Sequence, residues 1–202
     1  MTEERKTAEY PAAPTDQLLA WAMSHSHFLY LNGNGHQPLH GPFPTMLFAG
    51  ARSVLKSHSD SFSKLEKLIE NSRNWLYGYL SYDLKNEIEE LSSKNPASIP
   101  CAHLEFVMPE TIITLVDNTM VISSFLEPEA VAYAIQNSEA SRQPEPSQIN
   151  PALKTTKTQY LQNVVKIKDA ILEGEFYEMN YCIEYCSETK NFDPLSLLPS
   201  SE

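Results

Sequence analysis

Glu175, Glu178 and Glu184 are carboxylates whose type could support acid-base chemistry. A carboxylate pair serves one reacting centre only when both groups flank it, within about 10 Å of each other. Glu178 and Glu184 share a face of an extended segment but stand about 20 Å apart along it, so they read as solvated strand-face charges. Asn180 lies between them. An amide in a sheet can line a cavity or simply hydrogen-bond its own strand, and both readings stay open. Cys182 and Cys186 also share a face, too far apart along an extended backbone to bridge, and have no second pair or nearby His for a metal. With Cys101 they read as free thiols. His25, His27, His36, His40, His58 and His103 bring no third ligand to any pair and read as surface or strand-end histidines. Asn32-Gly33-Asn34-Gly35 carries neither GxGxxG nor a Lys-Ser/Thr step, so it does not mark a phosphate cradle. Trp75, Tyr77, Tyr79 and Tyr82 could stack a base, but acidic surroundings and strand alternation favour a domain core.

The elements that must position these residues follow from periodicity. Thr156 and Gln159 have capping-box spacing ahead of Tyr160, Val164, Ile167 and Ile171 on one helical face, and Gly174 sits where a left-handed cap ends such a helix. Tyr177, Met179, Tyr181, Ile183 and Tyr185 then alternate with polar residues, predicting a half-buried strand over 177–185. Upstream, Thr15 is expected to cap a short helix carrying Leu18, Leu19 and Trp21. Phe28–Leu31 reads as a buried strand, Met46–Leu55 as one or two strands interrupted at Gly50, and Ser61 or Ser63 as the start of a helix. Trp75–Leu80 is a strand in which Gly78 permits close backbone approach or marks a bulge. Asp117-Asn118 joins Glu110–Val116 to Thr119–Phe125 as a two-residue hairpin, and Pro128 opens a helix. The expected fold is α+β, mostly antiparallel strands with flanking helices. The expected domains are a flexible N-terminus at 1–15, an α+β domain at 16–137, a Ser/Gln/Glu/Pro-rich linker at 138–155, and the start of a second domain at 156–202.

The chain has 202 residues, 42% hydrophobic and 20% charged, with a net charge of −11 and no Lys/Arg run beyond Arg5-Lys6. That balance disfavours nucleic acid and anionic membranes as partners. The first ten residues lack a secretory pattern, and no apolar run approaches the roughly 20 residues that span a bilayer. A reduced, cytoplasmic protein is expected.

Two blocks carry a resemblance. Tyr160-x3-Val164-x2-Ile167-x3-Ile171-x2-Gly174-Glu175-Phe176-Tyr177-Glu178-Met179-Asn180 resembles the segment that opens the chorismate-binding domain of the anthranilate synthase and para-aminobenzoate synthase family. The run Asn74 to Leu91, with Gly78-Tyr79-Leu80-Ser81-Tyr82-Asp83, is similar to the aromatic-Gly-Tyr-x-Ser-Tyr-Asp block of that family's N-terminal domain, and most resembles the aminodeoxychorismate synthase (para-aminobenzoate synthase component I) branch. Order and spacing extend the likeness over most of residues 16 to 195. It implies amination of chorismate to 4-amino-4-deoxychorismate for folate synthesis, with ammonia from a glutamine amidotransferase partner. It also implies Mg²⁺ held by carboxylates, and in this branch a lysine nucleophile. All of these would follow the Gly174–Asn180 block, so no catalytic residue and no bound metal is expected in this chain, and the chain alone is expected to be inactive. Anthranilate synthase component I, or a non-catalytic module that binds an effector or partner, are the alternatives.

The family resemblance also implies a small-molecule pocket of the tryptophan type. It is formed by a strand ending in a Leu-x-Ser-like turn and a following Pro-aromatic segment. Leu31, Asn32 and Gly33, with Phe43, Thr45 and Met46, fall at those places. Gly33 stands where a Ser hydroxyl is expected and Pro44 removes a backbone donor, which counts against tryptophan itself.

Overall fold

Alternation of period two builds the first part of the chain. Along three neighbouring strands, Leu47 and Ala49, then Ile113, then Met120 and Ile122 project to one face, while Met46, Phe48 and Ile112 project to the other. The computed structural model describes residues 4–36, 44–91, 100–139 and 149–187. The chain divides into two compact units, Met1–Ser141 and Arg142–Glu202.

In the first unit every strand pairing is antiparallel, in a six-stranded sheet. Its main path runs β1 (Lys6–Pro11), β6 (Thr119–Ser124), β5 (Leu104–Val116), β3 (Thr45–Ser57) and β2 (Phe28–Leu31). The remaining strand, β4 (Tyr77–Leu80), pairs with the early half of β5. Helices α1 (Thr15–Met23) and α3 (Pro128–Gln136) cover one face, where Leu18, Trp21, Val131 and Ile135 pack on Leu47, Ile113 and Ile122. Ile113, Ile122 and Ile135 are fully buried, so truncating any of them to Ala would cost about 2–5 kcal/mol. The α+β architecture expected from the sequence is the one observed.

Several local expectations hold in detail. Asp117, at φ +51°, and Asn118 form the two-residue link between β5 and β6. Pro128 occupies the first turn of α3. Gly78 pairs with Phe106 so closely that a Cβ there would lie 2.1 Å from Glu105 O and 2.8 Å from Phe106 Cα.

Others are corrected. Residues 6–11, assigned to a flexible N-terminus, form β1, paired with β6 from Lys6↔Ser124 to Pro11↔Thr119. Arg5 anchors it: its guanidinium donates to Glu110 O at 2.9 Å and Ser123 O at 3.3 Å, and stacks 4.2 Å from the Phe125 ring centroid. Thr15 is already inside α1, whose cap position is Pro14, with no side-chain cap. β3 is not broken at Gly50. It bends there, with Gly50 at φ +71° and a register shift between Ala51 and Ser53, and runs on to Ser57 beside β5. Helix α2 (Ser61–Ser72) starts at the first of the two candidate serines.

The second unit contains α4 (Lys157–Glu173) and a short pair, β7 (Ala152–Leu153) with β8 (Tyr185–Cys186). Thr156 and Gln159 form the capping box, and Gly174 ends α4 at φ +80°. β7 therefore lies within the stretch read as linker. The strand expected over 177–185 is not formed. Only Tyr185 belongs to a strand, and 177–183 has no regular structure, because alternation alone does not supply a pairing partner.

Candidate functional site

The sheet face opposite α1 and α3 gathers an apolar and aromatic cluster. Leu31 of β2 is directly paired with Met46 of β3, and Leu29 with Phe48. Met46, Phe48 and Ile112 are buried, with Leu29, Leu31 and Tyr77 packed on them. The Phe48 ring lies 5.5 Å from that of Tyr77 and 6.2 Å from that of Trp75, tilted in both cases. Trp75 is 55% exposed, so the cluster reaches the surface there.

One polar atom breaks this surface. Tyr77 Oη is buried and has no hydrogen-bond partner among the described residues. Burial, aided by the negative charge of Glu105, pushes its pKa up to about 12. At neutral pH it is a neutral hydroxyl with an unused donor, in a setting where an unmade hydrogen bond costs about 1–3 kcal/mol. An aromatic floor with one orienting donor is the usual composition of a site for a small apolar or aromatic molecule.

Of the residues assigned from sequence to the tryptophan-type pocket, the structure brings Leu31 and Met46 together on this face. Thr45 shares the parity of Leu47 and so belongs to the opposite, helix-covered side. Asn32 is exposed. Its Oδ1 accepts from Asn34 N at 2.8 Å, closing a turn, and its Nδ2 donates to Tyr30 Oη at 3.0 Å. Gly33 sits in that turn with room to spare: a Cβ there would meet only His36 O, at 3.6 Å. Phe43 lies outside the described residues. Phe48 is not singled out from sequence, and Tyr77 is weighed there as a base-stacking aromatic and read as domain core. The signal for Phe48 was its equal parity with Met46, and for Tyr77 its place beside Gly78.

The second unit offers less. Asn180 is exposed in a segment without regular structure, as are Glu175 and Glu178. Glu184 is engaged: its Oε1 accepts from Lys154 Nζ at 2.8 Å and from Cys186 Sγ at 3.1 Å. The hydrogen bond from Lys154 holds the carboxyl below its usual range, and the same contact raises the lysine. Cys101, Cys182 and Cys186 are free thiols.

Among the described histidines, His103 makes the shortest side-chain contact. Its Nδ1 lies 2.5 Å from Glu87 Oε1, and the same carboxylate accepts from Ser61 N and Ser61 Oγ, both at 2.7 Å. Asp60, at the cap position of α2, provides no side-chain bond, so Glu87 caps this helix from 26 residues away. His103, followed by the Ser61 amide, pulls the Glu87 pKa down to about 2. This is a structural clamp: the serine hydroxyl donates to the carboxylate and not to the imidazole, so no nucleophile is activated. Among the described residues no three His, Cys, Asp or Glu side chains converge as metal ligands. The Mg²⁺ that the resemblance implies is not accommodated by them, and no chemical step is routed through it. No helix of the described residues is long and apolar enough to cross a membrane.

Residues 25–201 match the family described as chorismate binding enzyme. No curated protein matches the sequence. Among solved structures, the chain is similar to MenF, the menaquinone-specific isochorismate synthase from Escherichia coli, at 14% identity with a TM-score of 0.46. That likeness covers 86% of this chain and 39% of the MenF chain, so this chain spans well under two thirds of that enzyme.

Proposed function

The chain belongs to the chorismate binding enzyme family, and from that premise we propose that it is the N-terminal part of an aminodeoxychorismate synthase component I. The whole protein would replace the C4 hydroxyl of chorismate with ammonia supplied by a glutamine amidotransferase partner. The observation that carries this reading is the Asn74–Leu91 block, whose glycine is one that the packing requires. Gly78 lets β4 lie against the backbone of Glu105 and Phe106, which sets Tyr77 over Phe48. The role of the present residues is then to scaffold and to bind. The Leu31, Met46, Phe48 and Tyr77 face would hold a small aromatic effector, with the Tyr77 hydroxyl donating to its polar group.

The test has two arms. Incubated with chorismate, Mg²⁺ and ammonia, the 202-residue chain is expected to give no turnover above a buffer blank. Turnover would refute the placement of catalysis beyond the Gly174–Asn180 block. The whole protein that contains this chain, supplied with chorismate, Mg²⁺, a glutaminase and glutamine, is expected to give 4-amino-4-deoxychorismate by mass spectrometry. Anthranilate or isochorismate as the sole product would overturn the branch assignment while leaving family membership intact.

A further inference from the structure

β3 has two strand partners over its first half and one over its second. β2 covers Met46–Ala49, and Gly50 N still reaches His27 O at 3.0 Å. Beyond the bend at Ala51–Ser53 the strand continues to Ser57 with a strand partner only on its β5 side among the described residues. Alternate peptide groups of Ser53–Ser57 therefore face away from β5, along about 17 Å of edge. The edge is accessible, with Val54 42% exposed and Lys56 also exposed.

Helix α2 runs beside this edge and makes it one wall of a groove. Ser53, Val54 and Leu55 line one side of an open cleft of about 380 Å³, and Lys64, Lys67 and Leu68 the other. Lys64 Nζ is held by oxygens that carry no charge, donating to Ser59 O at 2.6 Å and Ser57 Oγ at 3.2 Å. Lys67 Nζ has no partner among the described residues. Among the described residues no carboxylate lines the cleft, in a chain whose net charge is −11. Among the described residues, an apolar floor, a strand edge with no strand partner and two ammonium groups without counter-charges coincide here.

We propose that the Ser53–Ser57 edge of β3, flanked by α2, docks an extended acidic segment of a partner protein by strand addition. Backbone bonds to the edge would supply affinity, the apolar side chains that face α2 would sit over Leu55 and Leu68, and carboxylates would meet Lys64 and Lys67. A second copy of this chain is a poor occupant. Two β3 edges brought together would also bring the two α2 helices, each with Lys64 and Lys67, to one interface, where juxtaposed like charges are costly. The inference does not depend on which reaction the whole protein performs.

The experiment titrates the isotopically labelled 202-residue chain with the blocked peptide acetyl-Glu-Val-Glu-Val-Glu-Val-amide and follows its amide resonances. Saturable shifts confined to Ser53–Ser57 and to Lys64–Asn71 are expected. Lys67→Glu is expected to weaken binding at least tenfold, and Lys67 is chosen because its ammonium has no partner among the described residues. Methylating one alternate set of peptide nitrogens should abolish binding, and methylating the other set should preserve it, since only one set faces the edge. Absence of saturable shifts at millimolar peptide would overturn the proposal, as would an equal response to the lysine counterpart of the peptide. An equal response to a single-stranded oligothymidylate would reduce the site to unspecific anion attraction and would also overturn it. Concentration-dependent shifts at the edge without any peptide would replace the proposed partner by a second copy.

Discussion

Replacing Gly78 by Val tests whether the aromatic-Gly-Tyr block is built on close packing. By surface area the position is exposed, and an exposed strand site ordinarily gains from a β-branched residue, by up to about 1 kcal/mol. Loss of glycine's freedom in the unfolded chain adds about 0.4–1 kcal/mol in the same direction. Against this stands the overlap: the new Cβ would lie 2.1 Å from Glu105 O and 2.8 Å from both Phe106 Cα and Cγ. Carbon pairs settle at about 3.5–4.0 Å, so β4 must retreat by about an ångström. Two of the three opposing atoms are backbone, which no rotamer change can move. Overpacking of this kind costs about 1–3 kcal/mol, and a retreat of β4 also weakens its four-residue pairing with β5, from Tyr77↔Val107 to Leu80↔Leu104. With the overlap near the upper end of that range and one or two pairing bonds lost at about 0.5–1.5 kcal/mol each, the losses reach about 4 kcal/mol against gains of about 1.5–2, leaving about 2 kcal/mol of destabilisation.

For a unit of this size the thermal midpoint should fall by roughly 5–12 °C, and the Tyr77 and Tyr79 amides should exchange faster. Gly78→Ala sharpens the comparison, because it brings the same Cβ without β-branching and should show most of the same loss. Melts by circular dichroism and amide exchange by mass spectrometry read both effects. An unchanged or raised midpoint in both variants, with exchange at β4 unaltered, would refute the close-packing argument and remove the observation on which the branch assignment rests.

Other perturbations address other elements. The Glu87 carboxyl is held at about 2 in the folded chain against an ordinary 4.5, so its stabilisation is present above about pH 4.5 and fades as the pH falls towards 2. Glu87→Gln should therefore melt lower than the parent at pH 7, with the gap closing across that window; a gap constant from pH 7 to 2 would rule out the clamp. Thr156→Ala removes half of the α4 capping box and should cost about 0.5–2 kcal/mol of local helix stability, read as faster exchange of the first-turn amides, with no change there counting against the cap. Amides of Tyr177–Ile183 should exchange within the fastest class, whereas uniformly slow exchange in a dilute monomer would mean that the segment is paired.

The features legible in the sequence are those whose physics is complete within a few residues. Thr156 with Gln159, Gly174 at positive φ, the Asp117-Asn118 link and Pro128 each satisfy their own backbone groups locally, so residue type and spacing suffice. What was missed depends on partners far along the chain. β1 carries the unpromising run Lys-Thr-Ala-Glu-Tyr-Pro, and it is a strand because β6 offers an edge and Arg5 reaches carbonyls more than a hundred residues away. The cap of α2 comes from Glu87, which no local window around Asp60 contains. The reverse error at 177–183 has the same origin, since ideal alternation without a pairing partner leaves the peptide groups to water.

The candidate site obeys this division as well. Leu31 and Met46 could be placed together because strand parity is a local property carried through one antiparallel pairing, and the same parity sends Thr45 to the helix side. The Tyr77 hydroxyl could not be foreseen. Its burial is created by β4 crossing onto β5 through Gly78, a contact between segments about 28 residues apart. The residue that gives the apolar face its unsatisfied donor is thus positioned by the same glycine whose substitution tests the fold. For that reason Gly78→Ala should loosen the proposed effector binding at Tyr77 even where the unit remains folded.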